Sequence, residues 1–196
     1  FCDPGRAIIF RYHSWMGLTM SEKRVVMVVD MQIGVFATPR INRDACVERI
    51  NQLTRAADLT IFIQHTEAGG LEEGSAGFAL LPELETPVNA KYVTKTACDA
   101  FYKTALEQLL REQAISHVVI CGCATDYCVD TTIRNGASRS YRITVAEDAH
   151  TTAHRAAAPA QTLIAHHNDV WRNLIVPGNP VRVKPVETIL QDWKTN

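Results

Sequence analysis

Read for hydrophobic and polar positions, the chain alternates between short unbroken apolar runs and longer stretches with helical spacing. Val25-Val26-Met27-Val28-Val29 is apolar at every position. A strand with one wet face alternates, so a continuous run predicts a strand buried on both faces of a parallel sheet. Leu59 to His65 repeats the pattern, and His117-Val118-Val119-Ile120-Cys121 shows it again. Lys91–Thr94 and Tyr141–Ala146 predict shorter strands, and Asn173-Leu174-Ile175-Val176 a final one. Between them, Asp44–Ala57 places Val47, Ile50, Leu53 and Ala57 at helical spacing, and Tyr102–Gln113 does the same with Leu106, Leu109 and Leu110. A helix starting around Cys128 runs to about Ala137, and another begins near Pro159, because proline suits a first helical turn but not an interior. The stretch 69–89 contains Gly and Pro without periodicity and predicts a functional loop. Strand–helix alternation of this kind predicts an α/β fold with right-handed crossovers and parallel strands.

Length and composition narrow the picture. A chain of 196 residues fits one domain with a full core. Phe1–Thr19 has no periodicity and reads as a leader foreign to the domain, which is expected to occupy 20–196. The net charge of −1 gives no reason to expect nucleic acid or an anionic membrane as partner. No apolar stretch reaches the roughly 20 residues needed to span a bilayer. Six cysteines are too few for a disulfide scaffold and lack zinc-ribbon spacing, so a reducing cytoplasm fits best. Cys121 and Cys123 share one side of a strand, where packing is the expected role and a redox or metal pair the alternative.

Candidate chemistry gathers at the predicted strand ends, where ligands of such sheets lie. Gly122-Cys123-Ala124-Thr125-Asp126-Tyr127-Cys128 follows an apolar run and reads as strand, tight loop and helix start. Cys128 then sits in a first helical turn, where free N–H groups and the positive dipole end favour a thiolate, the nucleophilic form. Asp30 closes the first strand and Lys95 follows the third. A carboxylate near a thiol can take its proton, and an ammonium offsets the repulsion between them. Taken singly, each has a plainer reading: a buried apolar cysteine, a turn-forming aspartate, a solvated lysine. Their joint occurrence at three strand ends favours catalysis.

The motifs Val28-Val29-Asp30-Met31-Gln32 with Phe36, Lys95-Thr96-Ala97-Cys98-Asp99-Ala100-Phe101, Gly122 to Val129, and Glu147-Asp148-Ala149-His150 resemble, in that order, the isochorismatase-like cysteine hydrolase family. The resemblance runs from Arg24 to the C-terminus. It implies a three-layer Rossmann-like fold, a six-stranded mostly parallel sheet with helices on both faces. It also implies hydrolysis of C–N bonds in amides, ureides or carbamoyl compounds without a cofactor, and often a homodimer or tetramer. By motif, Cys128 is the implied nucleophile, Asp30 the general acid/base and Lys95 the third triad member. The backbone N–H groups of Ala124 and Cys128 are the implied oxyanion hole, with a cis bond between Cys123 and Ala124. Gln32 and Phe101, from the motifs, and Phe36, His65 and Tyr127, by position, are candidate substrate contacts.

Departures from the family narrow the reading. The nicotinamidase branch holds a metal through Asp-x-His and a further His, whereas this chain has Gln64-His65-Thr66-Glu67. No metal is therefore expected, and His65 reads as a pocket or structural hydrogen-bonding group. His166-His167 lie about 100° apart on a helix and make a poor chelating pair. True isochorismatases lack the nucleophilic cysteine, so Cys128 argues against vinyl-ether cleavage. A catalytically silent scaffold and a thiol redox protein remain the alternatives in other classes.

Overall fold

The computed structural model describes residues 22–195; the expected leader at 1–19 lies outside them. Within them run β1 (Val25–Val29), α1 (Arg43–Ala56), β2 (Leu59–His65), β3 (Lys91–Lys95), α2 (Leu106–Glu112), β4 (His117–Cys123), α3 (Asp130–Ser138), β5 (Arg142–Thr151), α4 (Ala160–Arg172), β6 (Arg182–Lys184) and α5 (Val186–Thr195). A 3-10 turn, Val35–Ala37, follows β1, and a π-helical turn, Thr125–Val129, joins β4 to α3. The strands pair in the order β3-β2-β1-β4-β5-β6, and every pairing is parallel.

The unbroken apolar strands are explained by two cores, one on each face. Val25, Met27 and Val29 of β1 pack with Leu106 and Leu110 of α2, Ile133 and Ala137 of α3 and Trp171 of α4. Val26 and Val28 point the other way, onto Cys46, Val47, Ile50 and Leu53 of α1 and Val186 and Ile189 of α5. Each such side chain, fully buried, contributes roughly 1.5–3 kcal/mol.

Several expected boundaries are corrected. The apolar run 173–176 is not a strand: Leu174 and Val176 pack against the core from the segment after α4, while Ile175 is exposed. The sixth strand is Arg182–Lys184, and α5 after it was not expected. α2 begins at Leu106 rather than near Tyr102. Before it, the Asp99 carboxylate accepts from Phe101 N–H (2.9 Å), the Thr104 hydroxyl from Leu106 N–H (3.2 Å), and Lys103 is left-handed, which interrupts helical continuation. The stretch 69–89 lacks strand or helix, yet part of it is tied down. Ile33 N–H donates to Ala79 O (2.9 Å), Gly34 N–H to Gly77 O (2.8 Å) and Leu81 N–H to Met31 O (2.9 Å).

Strand order reverses between β1 and β4, so a crevice opens at their carboxyl ends. There Gly122 has φ +116°, and a Cβ on it would lie 2.2 Å from Val29 O. Only a bare backbone lets β4 approach β1 this closely.

Candidate active site

Asp30 directly follows the last residue of β1. Its N–H still donates to Ile63 O (2.9 Å), but its φ of 47° turns the chain out of the strand. Lys95 and His65 are the last residues of β3 and β2 and are direct partners in the ladder. Cys128 lies in the π-helical turn after β4, across the crevice. The Lys95 ammonium reaches all three: Asp30 Oδ2 at 2.8 Å, Cys128 Sγ at 3.3 Å and His65 Nδ1 at 3.3 Å. Asp30 and Lys95 are buried, and Asp30 Oδ1 has no hydrogen-bond partner among the described residues.

The peptide between Cys123 and Ala124 is cis. The Ala124 carbonyl accepts from the N–H groups of Tyr127 and Val129, both at 3.1 Å, and passes over that of Cys128.

Burial dominates the electrostatics. It pushes the Asp30 carboxyl up, with Lys95 acting in the opposite direction. It pushes the Cys128 thiol up as well; Asp30 adds to this and Lys95 only partly opposes it. Lys95 loses some proton affinity to burial but gains more from Asp30 and Cys128, so it stays an ammonium. Both shifts favour a proton on the Cys128–Asp30 pair, opposite in direction to the thiolate that a helix start alone favours.

The expected substrate contacts separate. Gln32 is fully buried and committed internally: its amide donates to His65 O (2.9 Å) and Phe78 O (3.0 Å), and its oxygen accepts from His65 N–H (2.7 Å). Phe101 is in the core, stacked on Tyr141 at 5.6 Å and against Gly136, two turns along the helix from Cys128. Both side chains are engaged within the protein in this structure. Phe36 is partly buried, with the Arg43 guanidinium 5.9 Å from its ring. Tyr127 is 52% exposed, with Arg155 4.7 Å above its ring and Asp126 pairing Arg155 at 2.8 Å. His65 is the one of the five in contact with Lys95.

A buried chain behind the turn that carries Cys128 was not anticipated. Thr125 Oγ1 lies 2.8 Å from His150 Nδ1, and His150 Nε2 lies 3.0 Å from Asn168 Oδ1. Asn168 Nδ2 donates to Glu147 O, which leaves Oδ1 for the His150 Nε2–H and His150 Nδ1 for the Thr125 hydroxyl. Burial pushes His150 down to about 4, so the imidazole is neutral. The motif Glu147–His150 was the available signal, but pairing it with Thr125 needs the β4–β5 register.

Other features do not compete for this chemistry. Cys121 and Cys123 are fully buried in the core under α1, and burial pushes Cys123 up to about 12. His167 Nδ1 lies 2.7 Å from Leu163 O within α4. Among the described residues, no group of three His, Cys, Asp or Glu is arranged to hold a metal ion. No helix among them is long and apolar enough to cross a membrane. A cavity of about 730 Å³ opens at the opposite, amino ends of the strands, beside Arg24, His117, Arg142 and Arg182. No cysteine lines it, and Asp30, Lys95 and Cys128 lie away from it at the carboxyl ends of the strands.

The isochorismatase domain model matches residues 24–168, well over half of the chain and inclusive of all three triad candidates. The chain belongs to the isochorismatase family. Streptothricin hydrolase of Streptomyces noursei is 31% identical over 146 residues, covering 69% of this chain and 57% of that enzyme. Ureidoacrylate amidohydrolase RutB of Yersinia enterocolitica is 34% identical over 79 residues, 40% of this chain and 34% of the relative. The match thus spans little more than half of one curated relative and a third of the other. A crystal structure of an isochorismatase family protein superposes with a TM-score of 0.74 at 29% identity, covering 82% of this chain and 97% of that one. A cysteine hydrolase from Pseudomonas syringae pv. phaseolicola 1448A shares the fold at a TM-score of 0.80 and 19% identity, over 88% of this chain and 93% of its own. So does N-carbamoylsarcosine amidase from Thermoplasma acidophilum, at 0.69 and 22%, over 84% and 97%.

Proposed function

We propose that this protein is a cysteine hydrolase that cleaves a C–N bond of a small neutral amide, ureide or carbamoyl compound through a thioester on Cys128. The observation that carries the reading is one ammonium, Lys95, held 2.8 Å from the Asp30 carboxylate and 3.3 Å from the Cys128 sulfur. A relative named as a ureidoacrylate amidohydrolase and another named as a streptothricin hydrolase support it.

In this reading Asp30 takes the Cys128 proton as the sulfur attacks the carbonyl carbon, so no free thiolate accumulates beforehand. The carbonyl oxygen gains the charge, and the N–H groups of Ala124 and Cys128 receive it; one such donor is typically worth about 2.7–4 kcal/mol of barrier. The C–N bond breaks as Asp30 passes its proton to the departing nitrogen. Asp30 then takes a proton from water, the hydroxide oxygen attacks the thioester, and the C–S bond breaks. The proton returns to Cys128 and an acid is released. Lys95 stays charged throughout and balances Asp30 and sulfur in turn. The chain itself supplies each group in these steps. We read the working form as a homo-oligomer, and its compartment as a reducing cytoplasm, the latter in line with the five free cysteines among the described residues.

The test is ammonia release from a panel of small amides, ureides and carbamoyl compounds by wild type and Cys128→Ala. Release by wild type alone supports the reading; equal release by both sinks it.

A further inference from the structure

The roles proposed above leave one cluster unexplained: the side chain of Gln32, the ring of His65 and the third N–H of Lys95. Lysine carries three N–H donors and no acceptor. Two of Lys95's partners are Asp30 and Cys128, and the third is His65 Nδ1 at 3.3 Å. An ammonium donates only, so Nδ1 is the unprotonated nitrogen and Nε2 carries the hydrogen, facing Glu67 at 3.5 Å. The main chain that carries the ring is fixed, because Gln32 grips the His65 backbone from both sides, at 2.9 Å to its oxygen and 2.7 Å to its nitrogen. Gln32 stands two residues after Asp30, so one segment sets both the carboxylate and the brace on its partner.

We propose that His65, clamped by Gln32 and accepting the third N–H of Lys95, is a positioning residue that holds the ammonium between Asp30 and Cys128. It touches the acting groups only through Lys95. A buried lysine has few orientations in which every donor is satisfied, and leaving one unpaired carries the desolvation penalty of a charged group. With Nδ1 gone, the ammonium turns toward Asp30 and loosens its hold on the sulfur. The inference rests on the triad reading but not on any substrate.

The experiment compares His65→Asn, His65→Gln and His65→Leu with wild type. Asparagine places an amide oxygen near the position of Nδ1, glutamine places one near Nε2, and leucine supplies none. The readout is the rate of Cys128 alkylation by iodoacetamide across pH, followed by mass spectrometry on the Cys128 peptide so that Cys98 does not intrude. Circular dichroism and thermal melting establish that each variant is folded. The expected result is about a 3–10-fold slower reaction at neutral pH and an upward-shifted midpoint for Leu and Gln, both largely restored in Asn. Alkylation of the Leu variant at the wild-type rate overturns the proposal. So does an Asn variant as slow as Leu, which would assign the loss to the ring itself. Because alkylation needs no substrate, a silent amide panel alongside this pattern would sink the hydrolase reading and leave the brace standing.

Discussion

Lys95 is an ammonium with 1% of its surface exposed, and its charge is supported by a carboxylate, a thiol and an imidazole. Breaking a buried pair by removing one member typically costs about 3–5 kcal/mol, because the other is left uncompensated. Lys95→Met should therefore cost that order in urea unfolding near pH 8. The sign of its pH dependence follows from Asp30. That carboxyl is already raised by burial, and losing Lys95 raises it further. A group raised in the folded state is least harmful below its unfolded value, and stability falls as pH rises through the folded one. The penalty of Lys95→Met should thus grow with pH; a penalty flat from pH 4 to 8 would mean that Asp30 is not ionised beside it. Cys128→Ala removes only a small side chain from the turn, so its melting temperature should stay within about 2 °C while turnover disappears. Cys98→Ser should retain most activity, and a loss as deep as that of Cys128→Ala would point to the wrong thiol.

Among the elements, the β1–β4 contact positions the turn that carries Cys128. A Cβ at position 122 would collide with three backbone atoms of Val29, the nearest at 2.2 Å, at a φ that L-residues rarely adopt. Gly122→Ala should cost about 3 kcal/mol or more and depress activity even where the fold survives, as read by denaturation and by turnover. A variant with wild-type stability would show that β4 can move away from β1 freely. The same strands explain what the sequence made legible. β1, β2 and β4 are buried on both faces, so their apolar runs are unbroken and announce themselves. β6 is a three-residue edge strand, Arg-Val-Lys, with no run to find, whereas 173–176 owes its apolar character to core contacts made from irregular chain. α5 was legible but overlooked: Val186, Ile189, Leu190 and Trp193 follow Pro185 at helical spacing. The triad candidates could be read because each closes or follows an apolar run. The internal contacts of Gln32 and Phe101 were not legible, because a motif marks a position without saying whether its side chain faces a crevice or the core. The link from Lys95 to His65 depends on the β2–β3 register, which a single strand pattern does not carry.

At the scale of the whole molecule, the crevice is backed by a buried polar chain whose protonation is linked to folding. His150 is held neutral at about 4, against an ordinary 6.5, with burial as the main cause. A histidine depressed in the folded state contributes stability above its unfolded value that is lost as pH falls toward the folded one. About 2.5 pH units at 1.36 kcal/mol each give on the order of 3 kcal/mol, lost between about pH 6.5 and 4. His150→Gln removes this titration, so its stability should fall less steeply over that window than the wild type's, measured by urea unfolding at a series of pH values. Parallel curves would place the imidazole in solvent.

The most direct test of the account is to look for the covalent intermediate. The enzyme is mixed with whichever amide of the panel releases ammonia fastest, quenched in acid within a turnover, digested and analysed by mass spectrometry. The account predicts an acyl adduct on the Cys128 peptide that appears during turnover, decays as substrate is exhausted, and is absent from Cys128→Ala. Turnover with an unmodified Cys128, or an adduct on Cys98 instead, would contradict it.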